Sequence, residues 1–240
     1  MRRIYRIIGI SVLTSRWIIR QPLWILQSLL FILGFIILMV AWGGMEAVKN
    51  FALVLVISGY WTIGVNIVAQ EYGWNRIYHL DEMFIASPVT ILDYFIGIVL
   101  GVSIYNTIFM AISMIMLIYL GIPHIMLPLL VLGLIGLILG SFIGLIAVLM
   151  VKNPTNISAI TNPLVTLTNM LPPVYYPSVV LPPIIDKALV MVPTATLMEI
   201  ARYYTGMPTV ISPIEATIIL IAWLAATLLT LSRLITWGRG

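Results

Sequence analysis

Long apolar runs broken by short polar stretches set the pattern of this chain. Leu23 to Trp42, Phe51 to Ala69, Ile91 to Tyr119, Ile125 to Val151 and Ile214 to Leu231 each reach the roughly 17 to 25 residues a helix needs to cross a bilayer core. Thr155 to Leu171 is a shorter, more polar sixth candidate. The pattern predicts an all-α integral membrane protein with six transmembrane helices in a single domain over residues 1–240. Gly43 to Asn50, with Glu46 and Lys49, reads as a loop between the first two spans, and Gly121-Ile122-Pro123-His124 as a tight turn between the third and fourth.

Three stretches depart from the simple alternation of span and loop. Residues 1–21, MRRIYRIIGISVLTSRWIIRQ, form an amphipathic pattern in which Arg2, Arg6, Arg16 and Arg20 share an arc of about 80°. This predicts an interfacial helix resting in the headgroup layer, arginines toward anionic lipid or a partner's carboxylates, with Pro22 breaking it from the first span. Between the second and third spans, 70–90 is a polar island, and Glu71 to Asp93 holds four of the eight carboxylates together with Arg76 and His79. Between the fifth and sixth, 172–213 carries Pro172-Pro173 and Pro182-Pro183 around Tyr175-Tyr176. A further helix is expected there from about Thr196 to Tyr204, where Thr196 and Glu199 have capping-box spacing. Its broken, apolar character predicts short re-entrant helices in the outer leaflet.

Composition agrees with a membrane domain: 62% of residues are hydrophobic and 8% charged, with a mean hydropathy of +1.14, against about a quarter charged in soluble domains. The net charge of +4 is concentrated in the N-terminal arginines and reads as a topology signal rather than a nucleic-acid footprint. With six spans, Arg2, Arg3, Arg6, Arg16, Arg20, Arg76, Lys152, Arg233 and Arg239 fall on the side of the termini, against Lys49, Lys187 and Arg202 on the other. The positive-inside rule then puts both termini and the polar island in the cytoplasm. Cysteine is absent, so disulfides and thiolate metal sites are excluded.

No ionisable residue falls in the middle third of a predicted span, which argues against proton relays, ion-coupled transport and intramembrane hydrolysis. His79 and His124 lie in loops on opposite faces and cannot share a metal. Lys49, Lys152 and Lys187 follow Val48, Val151 and Asp186, so none completes the glycine-lysine phosphate loop of a nucleotide site. Thr155, Ser158, Asn162, Thr166 and Asn169 share one face of the fifth span, suited to a polar path, a subunit seam or hydrogen bonding within one bundle. Gly136, Gly140 and Gly144 recur every four residues along the fourth span, with Gly133 and Ser141 beside them, and predict a close packing face.

Taken in order, these features resemble the membrane subunits of ATP-binding-cassette exporters of the type-2 permease class. The resemblance covers nearly the whole chain. It is carried by Glu82-Met83-Phe84-Ile85-Ala86-Ser87-Pro88-Val89 and Gly97, and by Tyr176-Pro177, Leu181-Pro182, Pro193, Glu199 and Arg202 in the outer segment. Ile98 stands where that family commonly has a lysine, and the stretch from Glu71 to Glu82 is longer and more aromatic than the family's. The resemblance implies a cytoplasmic coupling helix at roughly Trp74 to Ala86, seated on a separate ATPase through Trp74, Arg76, Tyr78, Asp81, Glu82 and Met83. It implies a second permease subunit, identical or related, paired across the first and fifth spans. It also implies an outer gate around Tyr175, Tyr176, Glu199 and Arg202, and a prokaryotic plasma membrane. This chain is expected to bind no cofactor and to catalyse nothing itself; ATP and Mg belong to the partner ATPase. Other partners are membrane lipid and no nucleic acid. A stand-alone channel or facilitator, and an accessory scaffold subunit, are the rival readings.

Overall fold

Every regular element among the residues that the computed structural model describes, 2–20, 22–151, 156–177 and 180–234, is a helix. In chain order they are α1 (Arg2–Ile19), α2 (Pro22–Thr62), α3 (Ala69–Ile77), α4 (Leu80–Ile85), α5 (Ile91–Ser103), α6 (Thr107–Tyr119), α7 (Met126–Met150), α8 (Ile157–Met170), α9 (Pro183–Leu189), α10 (Pro193–Tyr204) and α11 (Pro213–Leu234). A π-helical segment, Ile63–Val68, joins α2 to α3, and a 3₁₀ turn, Ile104–Asn106, joins α5 to α6. Four continuous helical stretches are long and apolar enough to cross a membrane: Ile25–Ile77, Ile91–Tyr119, Pro123–Met150 and Pro213–Leu234.

The first of these stretches is folded in two. Phe35 and Phe51 would lie about 24 Å apart along a straight helix, yet their rings stack with centroids 5.6 Å apart. The reversal is made at Gly44, whose φ of 61° and ψ of −152° are open only to glycine. The expected loop over Gly43 to Asn50 is therefore corrected: the turn is confined to Gly44 and helix resumes at once, so Glu46 and Lys49 are helical. Lys49 Nζ donates to the Thr205 carbonyl, 3.0 Å away.

The second arm of α2 is the centre of the bundle, with Phe51 to Ile57 buried along its length. It packs on α7 through the predicted glycine face. A Cβ on Gly144 would sit 2.5 Å from the Val65 carbonyl oxygen, and one on Gly64 would sit 2.6 Å from that of Leu137, so backbone meets backbone here. Small residues make a second seam: Gly97 and Gly101 on α5 receive Ile10 and Thr14 of α1, and Ser11 Oγ donates to the Gly97 carbonyl (3.0 Å). The N-terminal helix is thus no separate layer. Its inner side is packed lengthwise on α5, while Ile4, Tyr5, Ile8 and Leu13 stay exposed on the other side.

Two further expectations change. Trp74 to Ala86 is not one helix, because His79 adopts a left-handed conformation (φ 57°) that ends α3 and starts the six-residue α4. The helix expected from Thr196 begins at Pro193, and Thr196 is inside it, donating to the Val190 carbonyl (2.7 Å). Proline at the first helical turn outcompetes the capping-box spacing, since it needs no cap for a missing N–H.

Candidate functional site

The polar island becomes an exposed ridge on a buried base. Trp74 and Tyr78, one turn apart on α3, stack at 6.0 Å. Trp74 is 49% exposed and Met83 68%, with Arg76 and Glu82 exposed beside them. His79 Nδ1 and Glu82 Oε1 are 2.8 Å apart, which ties the left-handed corner to α4. Asp81's side chain lies outside the described residues. Beneath the ridge, buried Asn75 donates from Nδ2 to the Tyr94 hydroxyl (2.9 Å), and the rings of Tyr72 and Phe84 pack on Tyr94 at 6.0 and 5.0 Å. The residue before Tyr94, Asp93, is fully buried (0% exposed) and closes a capping box with Thr90 at the start of α5. It also accepts from Arg3 Nε at 2.6 Å and faces Arg6 at 3.5 Å. Arg6 is therefore spoken for within the chain, while Arg16 and Arg20 remain exposed.

The polar face of the fifth span divides. Thr155 lies outside the described residues, and Ser158 and Thr166 are exposed, Thr166 Oγ1 donating to the Asn162 carbonyl (3.0 Å). Asn162, also exposed, bonds to the π-helical segment, and buried Asn169 turns toward the second arm of α2. Asn162 Oδ1 accepts from Asn66 Nδ2 (2.8 Å), and Asn169 Nδ2 donates to Thr62 Oγ1 (3.1 Å). Asn66, on the π-helical segment, is the hub: its Oδ1 also accepts from Gln70 Nε2 (2.7 Å) and Thr161 Oγ1 (2.5 Å). The only sequence signal for it was a single asparagine inside an otherwise apolar run.

Between the two arms of α2, the α5–α6 junction and α8 lies a cavity of about 530 Å³, within the usual range for small-molecule sites. Tyr175 forms part of its wall, its hydroxyl 3.4 Å from Ser58 Oγ. Burial raises the Tyr175 phenol above its ordinary pKa, so it stays a neutral hydrogen-bonding group.

Glu199 and Arg202 do not line an opening. Arg202 is 1% exposed and donates inward: Nε to Asn50 Oδ1 (3.0 Å), Nη1 to Glu199 Oε1 (3.1 Å), Nη2 to the carbonyls of Val174 (3.1 Å) and Tyr176 (2.9 Å). Glu199 Oε2 accepts from the Val210 N–H (2.5 Å). The pair clamps α10, the tyrosine turn and the second arm of α2 together. Tyr176, whose hydroxyl donates to the Leu171 carbonyl (2.7 Å), braces the same turn. Asp186, 3% exposed, lies within the field of this pair. Burial, then the Glu199 carboxylate, raise its pKa against the opposing pull of Arg202.

No family model, curated protein or solved structure matches the chain.

Proposed function

We propose that this chain is the permease subunit of an ATP-driven exporter, forming a substrate path with a second permease subunit and coupled to a separate cytoplasmic ATPase. The observation that carries the reading is the ridge of Trp74, Arg76, Tyr78, Glu82 and Met83. It is exposed, both aromatic and charged, and stands at the end of the helix that forms the centre of the bundle. Exposed aromatics beside arginine and carboxylates are the composition of a docking surface, not of a solvated loop. Asn75, Tyr94 and Phe84 brace it from behind, so a force on the ridge is passed to α3 and α5 rather than absorbed by a loop.

On this reading the spans are the two arms of α2, α5 with α6, α7, the shorter α8, and α11, with α9 and α10 as re-entrant outer elements. On the positive-inside rule the termini and the ridge face the cytoplasm, and the resemblance to the type-2 permeases implies a prokaryotic cell. The second permease subunit pairs across the outward face of α8, where Ser158 and Thr166 are exposed, and the first arm of α2. ATP and Mg are bound by the partner ATPase, and the chemistry stays there.

The test is a mild-detergent pull-down of the tagged chain from its native membrane, with Glu82→Arg as the variant. Glu82 is 70% exposed and, among the described residues, its carboxylate meets only exposed His79, so the reversal is expected to cost the fold little. A nucleotide-hydrolysing partner that copurifies with the wild type and is lost with Glu82→Arg supports the reading. Recovery of the same partner at wild-type yield with the variant, or of no such partner with the wild type, overturns it.

A further inference from the structure

The cavity between the arms of α2 holds an unused set of hydrogen-bonding groups. Asn106, 1% exposed on the 3₁₀ turn between α5 and α6, lies against the Tyr60 hydroxyl but makes no well-formed hydrogen bond through Nδ2 or Oδ1. The Tyr60 hydroxyl proton is directed to Met110 Sδ, 3.5 Å away. Asn169, 3% exposed, leaves Oδ1 unpartnered. Buried amides are normally satisfied, and one left so in an apolar surrounding is costly. Two of them in the wall of one cavity are a reason to look for a ligand. The amide of Asn106 is also held in place: its Oδ1 lies where a Cβ on residue 59 would be, 2.5 Å from that point, and residue 59 is glycine.

The rest of the lining states the chemistry. Among the described residues no charged side chain borders the cavity; its polar groups are hydroxyls and amides, including Ser58, Thr62, Thr166 and Tyr105. The Ser28 and Tyr105 hydroxyls lie 2.9 Å apart at one side. Phe31, Phe51, Val54, Leu55 and Phe109 complete the wall. Neutral donors and acceptors with no counter-charge disfavour an ionic headgroup, which would enter a low-dielectric site unpaired. They suit hydroxyls, and the apolar wall suits a hydrocarbon tail.

We infer that this cavity is a binding site for a neutral, hydroxyl-bearing lipid, with Asn106 and Asn169 receiving the headgroup. Binding stands on the cavity alone; that the lipid is the exporter's cargo rests on the reading given above.

The test uses the purified full chain in phosphatidylcholine nanodiscs without any ATPase. A diacylglycerol carrying a diazirine in one acyl chain is compared with a phosphatidic acid of the same chains, and labelled peptides are mapped by mass spectrometry. The expected result is at least tenfold more labelling of peptides around Phe31, Asn106 and Asn169 by the neutral probe. Asn106→Leu is expected to abolish that excess with little change in melting temperature, since it removes a poorly satisfied buried amide whose one contact is the Tyr60 hydroxyl. Val165→Trp, a half-buried wall residue enlarged to fill the space, is expected to do the same. Equal labelling by both probes, or labelling that survives both substitutions, overturns the inference. The pull-down has a separate readout, so an exporter without this site and a lipid-binding protein without an ATPase give different results.

Discussion

Replacing Arg202 by methionine tests whether the outer segment is clamped or gated. The substitution keeps much of the side-chain volume and removes four donated bonds, to Asn50, Glu199, Val174 and Tyr176. It also leaves Glu199, itself 1% exposed, as a buried carboxylate without its cation. Breaking a buried pair from one side costs about 3–5 kcal/mol. For a chain of this size about 2–4 °C of melting temperature corresponds to each kcal/mol, giving a fall of roughly 6–20 °C. The companion variant Arg202→Met with Glu199→Gln removes the orphaned charge while keeping a carbonyl oxygen for the Val210 N–H. It is expected to recover at least about 1 kcal/mol of the loss, the coupling typical of groups in direct contact. The assay is thermal unfolding in detergent for the wild type, both single variants and the double variant, with protease cutting at 172–182 as a local readout. A single-variant loss below about 1 kcal/mol, or additive losses in the double variant, would refute a clamp.

Two other substitutions test separate parts of the fold. Gly144→Leu is expected to destabilise by about 1–3 kcal/mol or more, because its Cβ meets the backbone oxygens of Val65 and Gly64, which cannot yield as a side chain can; an unchanged melting temperature refutes the close seam. Asp186 has a raised pKa, so the folded state binds its proton more readily than the unfolded state, and stability falls as pH rises from the ordinary carboxylate range through the raised value. Asp186→Asn is expected to flatten that decline in melting temperature as pH rises above the ordinary carboxylate range; a variant that tracks the wild type refutes the assignment.

The sequence pattern located the apolar helices well, because a run of apolar residues needs no partner to be recognised. The fourth span was expected at Ile125 to Val151 and is found at Met126–Met150, and its glycine periodicity marked the seam with Val65. What it could not give were contacts whose two halves lie far apart in the chain. Arg6 read as facing anionic lipid or a partner's carboxylates, because Asp93, which it and Arg3 meet, comes about ninety residues later. Asp93 itself carried a local signal, Thr90 three residues before it, which is the spacing of a capping box. Gly44 was hidden for a different reason: the polar residues after it suggested a loop of several residues, whereas one glycine with positive φ makes the whole reversal.

The candidate site divides along the same line. Exposure of Trp74, Tyr78, Glu82 and Met83 followed from their polar and aromatic setting, but the base that makes them a rigid surface, Asn75 on Tyr94, depends on a pairing between helices. The second arm of α2 links that base to the cavity. Ser58 and Thr62 on this arm border the cavity, the π-helical segment follows them, and α3 carries Trp74 and Arg76 of the ridge, all without a break in the helix. Between the two, Gly64 and Gly144 bring the segment backbone to backbone against α7. A displacement of the ridge is therefore expected either to move α7 with it or to turn the helix about its own axis. In both cases Asn66 and its bond to Asn162 lie in the path, so α8 follows. On the transport reading, this is how closure of an ATPase against the ridge reaches a lipid held beside Asn169, and it requires the Asn66–Asn162 contact to persist or re-form in both positions of the helix.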